Sequence, residues 1–204
     1  TTRKTKFCLC VDDFGVKHYT KEDAQDLINA LNQGYPTSVD WEGKNYCGYT
    51  FEWNYDKGYV DVSMPTYIPK MLSKFNHTTP KKPQRAPHSW SVPVYGQKRQ
   101  YAKALPDLPT LQPNLITIIP QKTGSMLYYA RALDYTMLPA LLDISTTQAK
   151  PTAATENEVS WLMDYCATYP LVKIRFFASD MIMHVDSDAA YLIAPGAKSR
   201  IAGY

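Results

Sequence analysis

The sequence is poor in cysteine and histidine and lacks long apolar runs, and each shortage excludes a class of protein. Four cysteines and four histidines in 204 residues show neither a disulfide framework nor a zinc-ligand spacing. No apolar run is long enough to cross a bilayer, and no signal-type apolar segment with a cleavage site follows the first residues. We therefore expect an intracellular protein with no membrane partner, in either the cytoplasm or the nucleus.

The cysteines lie in apolar sequence, so we expect buried thiols in a reducing compartment. Cys8 and Cys10 are two residues apart in a β-rich run, which places them on one face of a strand. The four histidines are scattered along the chain, and none is assigned as a ligand. The positions of the four cysteines are Cys8, Cys10, Cys47 and Cys166.

Excess charge of either sign is also absent. The net charge of +3, from 22 Lys and Arg against 19 Asp and Glu, is too small to indicate a polyanion partner by itself. Basic residues cluster locally at 3–6, 81–85 and 98–99. These clusters either bind the phosphate backbone of a nucleic acid or belong to ordinary solvated loops. The 16 tyrosines and 4 tryptophans are suited to base stacking or to a core.

Residues 6–15 form the most informative segment of the chain. A short apolar run leads directly into Asp12 and Asp13, and Gly15 eases a turn. The pattern predicts a tight hairpin with strands at 7–11 and from Phe14 onward. Carboxylates at such a turn are suited to Mg²⁺, which takes oxygen ligands, although an Asp pair after a strand is also an ordinary solvated turn.

The run Cys10-Val11-Asp12-Asp13 resembles the aromatic-x-Asp-Asp signature of reverse transcriptases. It has the valine variant found in LTR retrotransposons and retroviruses, with Cys10 where the family usually has tyrosine. The resemblance implies that Asp12 and Asp13 are catalytic carboxylates that bind Mg²⁺.

The segments that follow fit the same family order. Thr20 and Asp23 form a capping-box pattern before a helical apolar stripe, and Gly34 is placed to end that helix. Two β-rich runs at 46–53 and 59–64, joined by a turn at 54–58, resemble the primer-grip hairpin of copia-like and gypsy-like elements. The resemblance implies weak primer contacts by Gly48 and Met64.

A thumb-like helix and a proline-rich connector come next. Residues 65–75 resemble the first thumb helix, with Met71, Leu72 and Phe75 on one face. The proline density from residue 76 to residue 120 predicts an extended connector without regular helices. These prolines are Pro80, Pro83, Pro87, Pro93, Pro106, Pro109, Pro113 and Pro120.

Beyond the connector, helices are predicted at 122–134 and 137–144, with Pro139 tolerated only near a helix start. A second capping-box pattern pairs Thr155 with Glu158 and predicts the start of another helix. Residues 174–177 and 181–185 are β-rich and lead toward Asp188.

The run Ser187-Asp188-Ala189 and the segment 198–204 are similar to the opening of the retrotransposon RNase H domain. The resemblance implies that Asp188, and not Asp186, is the first metal-binding carboxylate of that domain. In a regular strand both side chains share a face, so only the match to the family motif separates them.

The expected fold class is α+β. The resemblance implies the C-terminal part of a polymerase palm with β-hairpins and a helix at 1–64, and a thumb helix with the connector at 65–120. A helical connection segment follows at 121–180, and the first strands of an RNase H-like domain at 181–204.

The function implied is that of an internal fragment of a retrotransposon pol polyprotein, an RNA-directed DNA polymerase (a nucleotidyltransferase) with adjoining RNase H. Its partners would be RNA template, DNA primer, dNTP and RNA/DNA hybrid, with Mg²⁺ as cofactor. A further palm Asp is expected before Thr1, and the remaining RNase H carboxylates after Tyr204, so this chain alone is expected to be inactive. The alternative is a catalytically dead retroelement remnant with at most a nucleic-acid- or protein-binding role.

Overall fold

The structure is a computed structural model that describes residues 5–89, 109–180, 182–194 and 198–203. In these ranges the chain forms five α-helices, a 3₁₀ turn and three small antiparallel sheets. The α+β class is therefore confirmed. The chain divides into two compact units, one made of Thr1–Thr66 with Leu171–Ala178 and the other of Tyr67–Pro170 with Ser179–Tyr204.

The first unit opens with the predicted hairpin. Strands β1 (Lys6–Cys10) and β2 (Asp13–Lys17) pair antiparallel with Cys10 opposite Asp13. Only Val11 and Asp12 connect the strands, so the tight hairpin is confirmed. Its tip lies one residue earlier than predicted, since Val11 is in the turn and Asp13 is the first residue of β2.

Helix α1 (Lys21–Asn32) follows the hairpin and begins where its capping box predicts. The Asp23 backbone N–H donates to Thr20 Oγ1 at 3.3 Å, and Asp23 Oδ2 accepts from the Thr20 N–H at 3.1 Å. Both bonds satisfy amide groups that the first helical turn leaves without partners. Ala24 is buried, and the rest of the apolar stripe is partly exposed.

A four-stranded sheet completes the first unit, in the order β3 (Asn45–Tyr46), β4 (Tyr49–Asn54), β5 (Tyr59–Ser63) and β6 (Lys173–Phe177). Strands β4 and β5 form the predicted hairpin. The β-rich prediction for 174–177 is confirmed by strand β6, although the stretch 121–180 as a whole was expected to be a helical connection. Strand β6 pairs antiparallel with β5. Its position in the sheet depends on a partner distant in sequence.

The second unit is mainly helical, with α2 (Tyr67–Lys74), α3 (Pro113–Ala132), α4 (Leu138–Thr147) and α5 (Ala153–Thr168), and a 3₁₀ turn at Tyr135–Met137. Apolar side chains from all of these elements form its core, which stabilises the unit by removing their surface from water. The most deeply buried are Ile68, Met126, Tyr129, Met137, Leu141, Ile144, Leu162 and Met163.

The proline-rich connector was predicted to extend to residue 120, and this is wrong at its C-terminal end. Helix α3 begins at Pro113 and runs through Pro120. Pro113 occupies the first turn, where the missing N–H has no intrahelical partner to lose. Pro120 is exposed, so the carbonyl that loses its bond one turn earlier can face water. Residues 77–89 contain no helix or strand, as predicted. Residues 90–108, which include Pro93, Pro106 and the basic pair 98–99, lie outside the described residues.

The second capping box was placed three residues too late. Helix α5 begins at Ala153 after the N-cap Thr152, and the Thr152 N–H donates to Thr155 Oγ1 at 3.2 Å. Thr155 therefore occupies the third helical position. An isolated bridge with Thr110 keeps Thr152 extended, so the helix starts directly after it.

The C-terminal hairpin consists of β7 (Ser187–Ala194) and β8 (Lys198–Gly203). Residues 182–186 precede it without forming a strand, which contradicts the β-rich reading of 181–185 for the part that is described. Met181 lies outside the described residues. In the described part of the chain, no helix is both long and apolar enough to cross a bilayer.

Candidate functional site

The turn that carries the Asp pair has a strained backbone. Val11 has φ 58°, and Asp12 is not among the residues with positive φ, which is the arrangement of a type II′ hairpin turn. That turn favours glycine at its first position, and a β-branched residue with positive φ is an outlier. Val11 is 91% exposed, so burial of its side chain does not offset the strain.

Asp13 is held in place from outside the hairpin. Its Oδ2 accepts a hydrogen bond from the Cys47 backbone N–H at 3.1 Å. Cys47 lies in the turn between β3 and β4 and itself has φ 50°. Sequence reasoning missed this role of Cys47, since a backbone donor leaves no signal in residue type.

Asp12 and Asp13 are both exposed. Within the described ranges, the Asp12 carboxylate has no hydrogen-bond or ion-pair partner, so both of its oxygens are accessible to a ligand. Among those same residues, no group of three or more His, Cys, Asp or Glu side chains is arranged to hold a metal ion. The pair alone fits Mg²⁺, which proteins bind through one or two carboxylates together with waters and substrate phosphates.

The hairpin corrects the prediction of buried thiols. Cys8 and Cys10 are exposed, and Cys47 is half-buried, whereas Cys166 is buried as expected. The reason is that β1 and β2 form a sheet of only two strands, and every residue of β1 remains exposed. The prediction that Cys8 and Cys10 share a face agrees with the register, which pairs them with Gly15 and Asp13.

The Tyr46 side chain lies against this thiol-bearing face. Its hydroxyl donates to Cys8 Sγ at 3.4 Å, and this hydrogen bond is the main cause of a raised pKa of Tyr46. A Cβ at Gly15 would lie 2.8 Å from Cys8 Sγ and 3.4 Å from the Tyr46 ring. Glycine at position 15 therefore leaves room for the Cys8 sulfur and the Tyr46 ring beside the hairpin backbone.

The two predicted primer-contacting residues are brought together. Gly48, at φ 81°, would place a Cβ 3.7 Å from Met64 Cε. Met64 is only 4% exposed, so its side chain contributes to the core of the first unit. Contact with a primer stays a prediction for both residues.

Asp188 lies in the second unit and Asp12 in the first. Asp188 is in β7 opposite Ala202, and its Oδ1 accepts from the Ala189 N–H at 2.8 Å. Asp186 precedes the first residue of β7, so the two carboxylates do not share one regular strand as the sequence suggested. Both are exposed.

Two ion pairs on the four-stranded sheet were not predicted. Arg175 donates from Nε and Nη2 to the two Asp61 carboxylate oxygens at 2.7 and 2.8 Å, and the guanidinium lies 3.8 Å from the Tyr59 ring centre. The hydrogen bond from Arg175 holds the pKa of Asp61 below its usual value. Lys173 Nζ likewise lies 2.7 Å from both carboxylate oxygens of Glu52. These pairs join β6 to β5 and β4.

The chain matches no protein-family model, no curated protein and no solved structure. The reverse-transcriptase resemblance therefore depends on the quoted residues and their order.

Proposed function

We propose that the chain is the C-terminal palm, thumb and connection of a retrotransposon RNA-directed DNA polymerase, with the start of its RNase H domain. The observation that carries the proposal is the strained Val11 turn, which places Asp12 in a two-residue hairpin turn and Asp13 directly after it. Backbone strain of this kind persists where a site requires a particular geometry. A two-residue hairpin turn requires a positive φ at its first position in any case, so the support comes from a valine at a position that favours glycine.

In this proposal Asp12 and Asp13 hold Mg²⁺ in different ways. The Cys47 N–H fixes one oxygen of Asp13, so Asp13 orients the site, whereas both Asp12 oxygens are available to the cation. A cation held there would supply Lewis-acid chemistry, lowering the pKa of the primer 3′ hydroxyl and neutralising charge on the dNTP phosphates. The carboxylates of this chain would align those two reactants.

The other predicted residues have supporting roles in the same proposal. The hairpin of β4 and β5, with Gly48 directly before β4 and Met64 directly after β5, would hold the primer strand on its RNA template. Asp188 would be the first metal-binding carboxylate of the RNase H domain, which cleaves the RNA/DNA hybrid.

The decisive experiment uses a polyprotein with complete polymerase and RNase H regions. Asp12→Asn should abolish DNA synthesis and leave hybrid cleavage, and Asp188→Asn should do the reverse, since each removes a ligand from a different metal site. Asp56→Asn is a matched control, because Asp56 is an exposed aspartate in another hairpin turn.

Three results would contradict the proposal in different parts. Full DNA synthesis by Asp12→Asn would remove the polymerase assignment and favour the dead remnant. Loss of cleavage in Asp186→Asn with full activity in Asp188→Asn would move the RNase H assignment by two residues. No loss in either variant would remove the RNase H role of this end.

Metal binding can be measured separately on the present chain. Titration with Mn²⁺ should broaden the amide NMR signals of Asp12 and Asp13 through paramagnetic relaxation. The broadening should disappear in Asp12→Asn and persist in Asp56→Asn. Equal broadening in all three proteins would show that the cation binds elsewhere.

A further inference from the structure

Two cysteines lie on either side of Asp13. Cys10 is its cross-strand partner in the β1–β2 hairpin, so the two side chains point to the same side of the hairpin. Cys47 donates its backbone N–H to the Asp13 carboxylate, so it lies against the side of the hairpin to which Cys10 and Asp13 point. Desolvation, with a further contribution from the Cys10 side chain, raises the pKa of the Cys47 thiol. The two cysteines thus flank one carboxylate, although 36 residues lie between them in sequence.

The other thiols are poorly placed to compete for this pairing. Side chains two apart on a strand stand about 6.6 Å apart, whereas the Cβ atoms of a disulfide lie about 4 Å apart. This excludes a link between Cys8 and Cys10. Cys8 Sγ is also engaged by the Tyr46 hydroxyl and the Gly15 carbonyl. Cys166 is buried in the second unit.

We propose that Cys10 and Cys47 form a reversible disulfide, a redox modification site directly beside the Asp12–Asp13 turn. The oxidant is a low-molecular-weight disulfide such as glutathione disulfide. The Cys10 sulfur attacks it, the glutathione S–S bond breaks, and one glutathione leaves as a thiol. The Cys47 sulfur then attacks the Cys10 sulfur of the mixed disulfide and expels the second glutathione. The two protein thiols lose two electrons, which reduce the oxidant, and their two protons end on the two glutathione thiols.

The disulfide would join the hairpin that carries the Asp pair to the turn between β3 and β4. That turn already holds Asp13 by one backbone hydrogen bond, and the covalent link would make this attachment permanent until it is reduced. The inference depends on the positions of the thiols and not on the proposed polymerase function, so either can fail alone.

The test uses the full chain equilibrated in buffers of reduced and oxidised glutathione. Remaining thiols are blocked with iodoacetamide, and the tryptic peptides are analysed by mass spectrometry without reduction. We expect the peptide of residues 7–17 linked to that of residues 45–57, and loss of this species after treatment with dithiothreitol.

Matched variants assign the link. Cys10→Ser should lose it, whereas Cys8→Ser and Cys166→Ser should retain it, with circular dichroism confirming that each variant is folded. Retention in Cys10→Ser with loss in Cys8→Ser would assign the link to Cys8 and overturn the proposal. A folded wild-type chain that forms only glutathione adducts, or no link at all, would overturn it as well.

Discussion

Replacing Val11 with glycine should stabilise the fold and at the same time impair the proposed catalytic site. Val11 adopts φ 58°, a region that glycine enters freely and that costs an L-residue about 1–2 kcal/mol. The Val11 side chain is 91% exposed, so its removal forfeits little buried surface. The substitution therefore changes mainly the backbone energy.

The expected gain follows from two opposing quantities. Relief of this backbone strain contributes about 1–2 kcal/mol in favour of the folded state. Glycine gives the unfolded chain more conformational freedom, which costs about 0.5–1 kcal/mol. We expect Val11→Gly to raise the free energy of unfolding by about 1 kcal/mol, and Val11→Ala to raise it less because alanine retains a Cβ.

Urea unfolding followed by intrinsic fluorescence gives the global value, and amide hydrogen exchange of β1 and β2 locates the change. Val16→Gly is the matched control, because Val16 lies within β2 of the same hairpin and glycine weakens a strand. In a complete polymerase, Val11→Gly should slow DNA synthesis, since the freed turn no longer holds Asp12 in one place. If Val11→Gly lowers stability, or gains no more than Val11→Ala, the strain argument is wrong.

Other predictions concern pH and the core. Arg175 lowers the pKa of Asp61, so this pair stabilises the fold above the ordinary Asp pKa. Its contribution is lost as the pH falls through the lowered pKa. Urea titrations from about pH 6 to about pH 2 should show that the free energy of unfolding depends less on pH in Asp61→Asn than in the wild type. Tyr165→Phe removes a hydroxyl that donates to the buried Asp134 carboxylate at 3.1 Å, and urea unfolding should show a loss of about 1.5–3 kcal/mol. Leu162→Ala, at a fully buried position of α5, should cost about 2–5 kcal/mol in the same measurement. An effect below about 0.5 kcal/mol would place Leu162 on the surface.

Local features were predictable from the sequence. The β1–β2 hairpin follows from an apolar run that ends in Asp12 and Asp13, and the start of α1 follows from the Thr20 capping box. Both depend on residues within a few positions of one another, so their signals lie in a short window. The hairpin of β4 and β5 was found for the same reason.

Features that depend on distant partners were not predictable in this way. The residue before α5, Thr152, pairs with the distant Thr110, and the length of α3 is compatible with Pro120 because that residue faces solvent. The exposure of Cys10 reflects how little covers β1, which its own apolar sequence does not reveal. In the candidate site, the Asp pair was identified from the sequence. The hydrogen bond from Cys47 to Asp13 was not, because its donor is a backbone amide, which every residue except proline has.

The Asp61–Arg175 pair joins residues 114 positions apart, and this separation sets the order of events during synthesis. At about 5–20 residues per second, roughly 6–23 s pass between the emergence of β5 and that of β6. During this interval β5 has an open edge, on which another chain can pair. Slowing translation between residues 67 and 170 should therefore increase aggregation of the nascent chain, and supplying a peptide of residues 171–178 should suppress it.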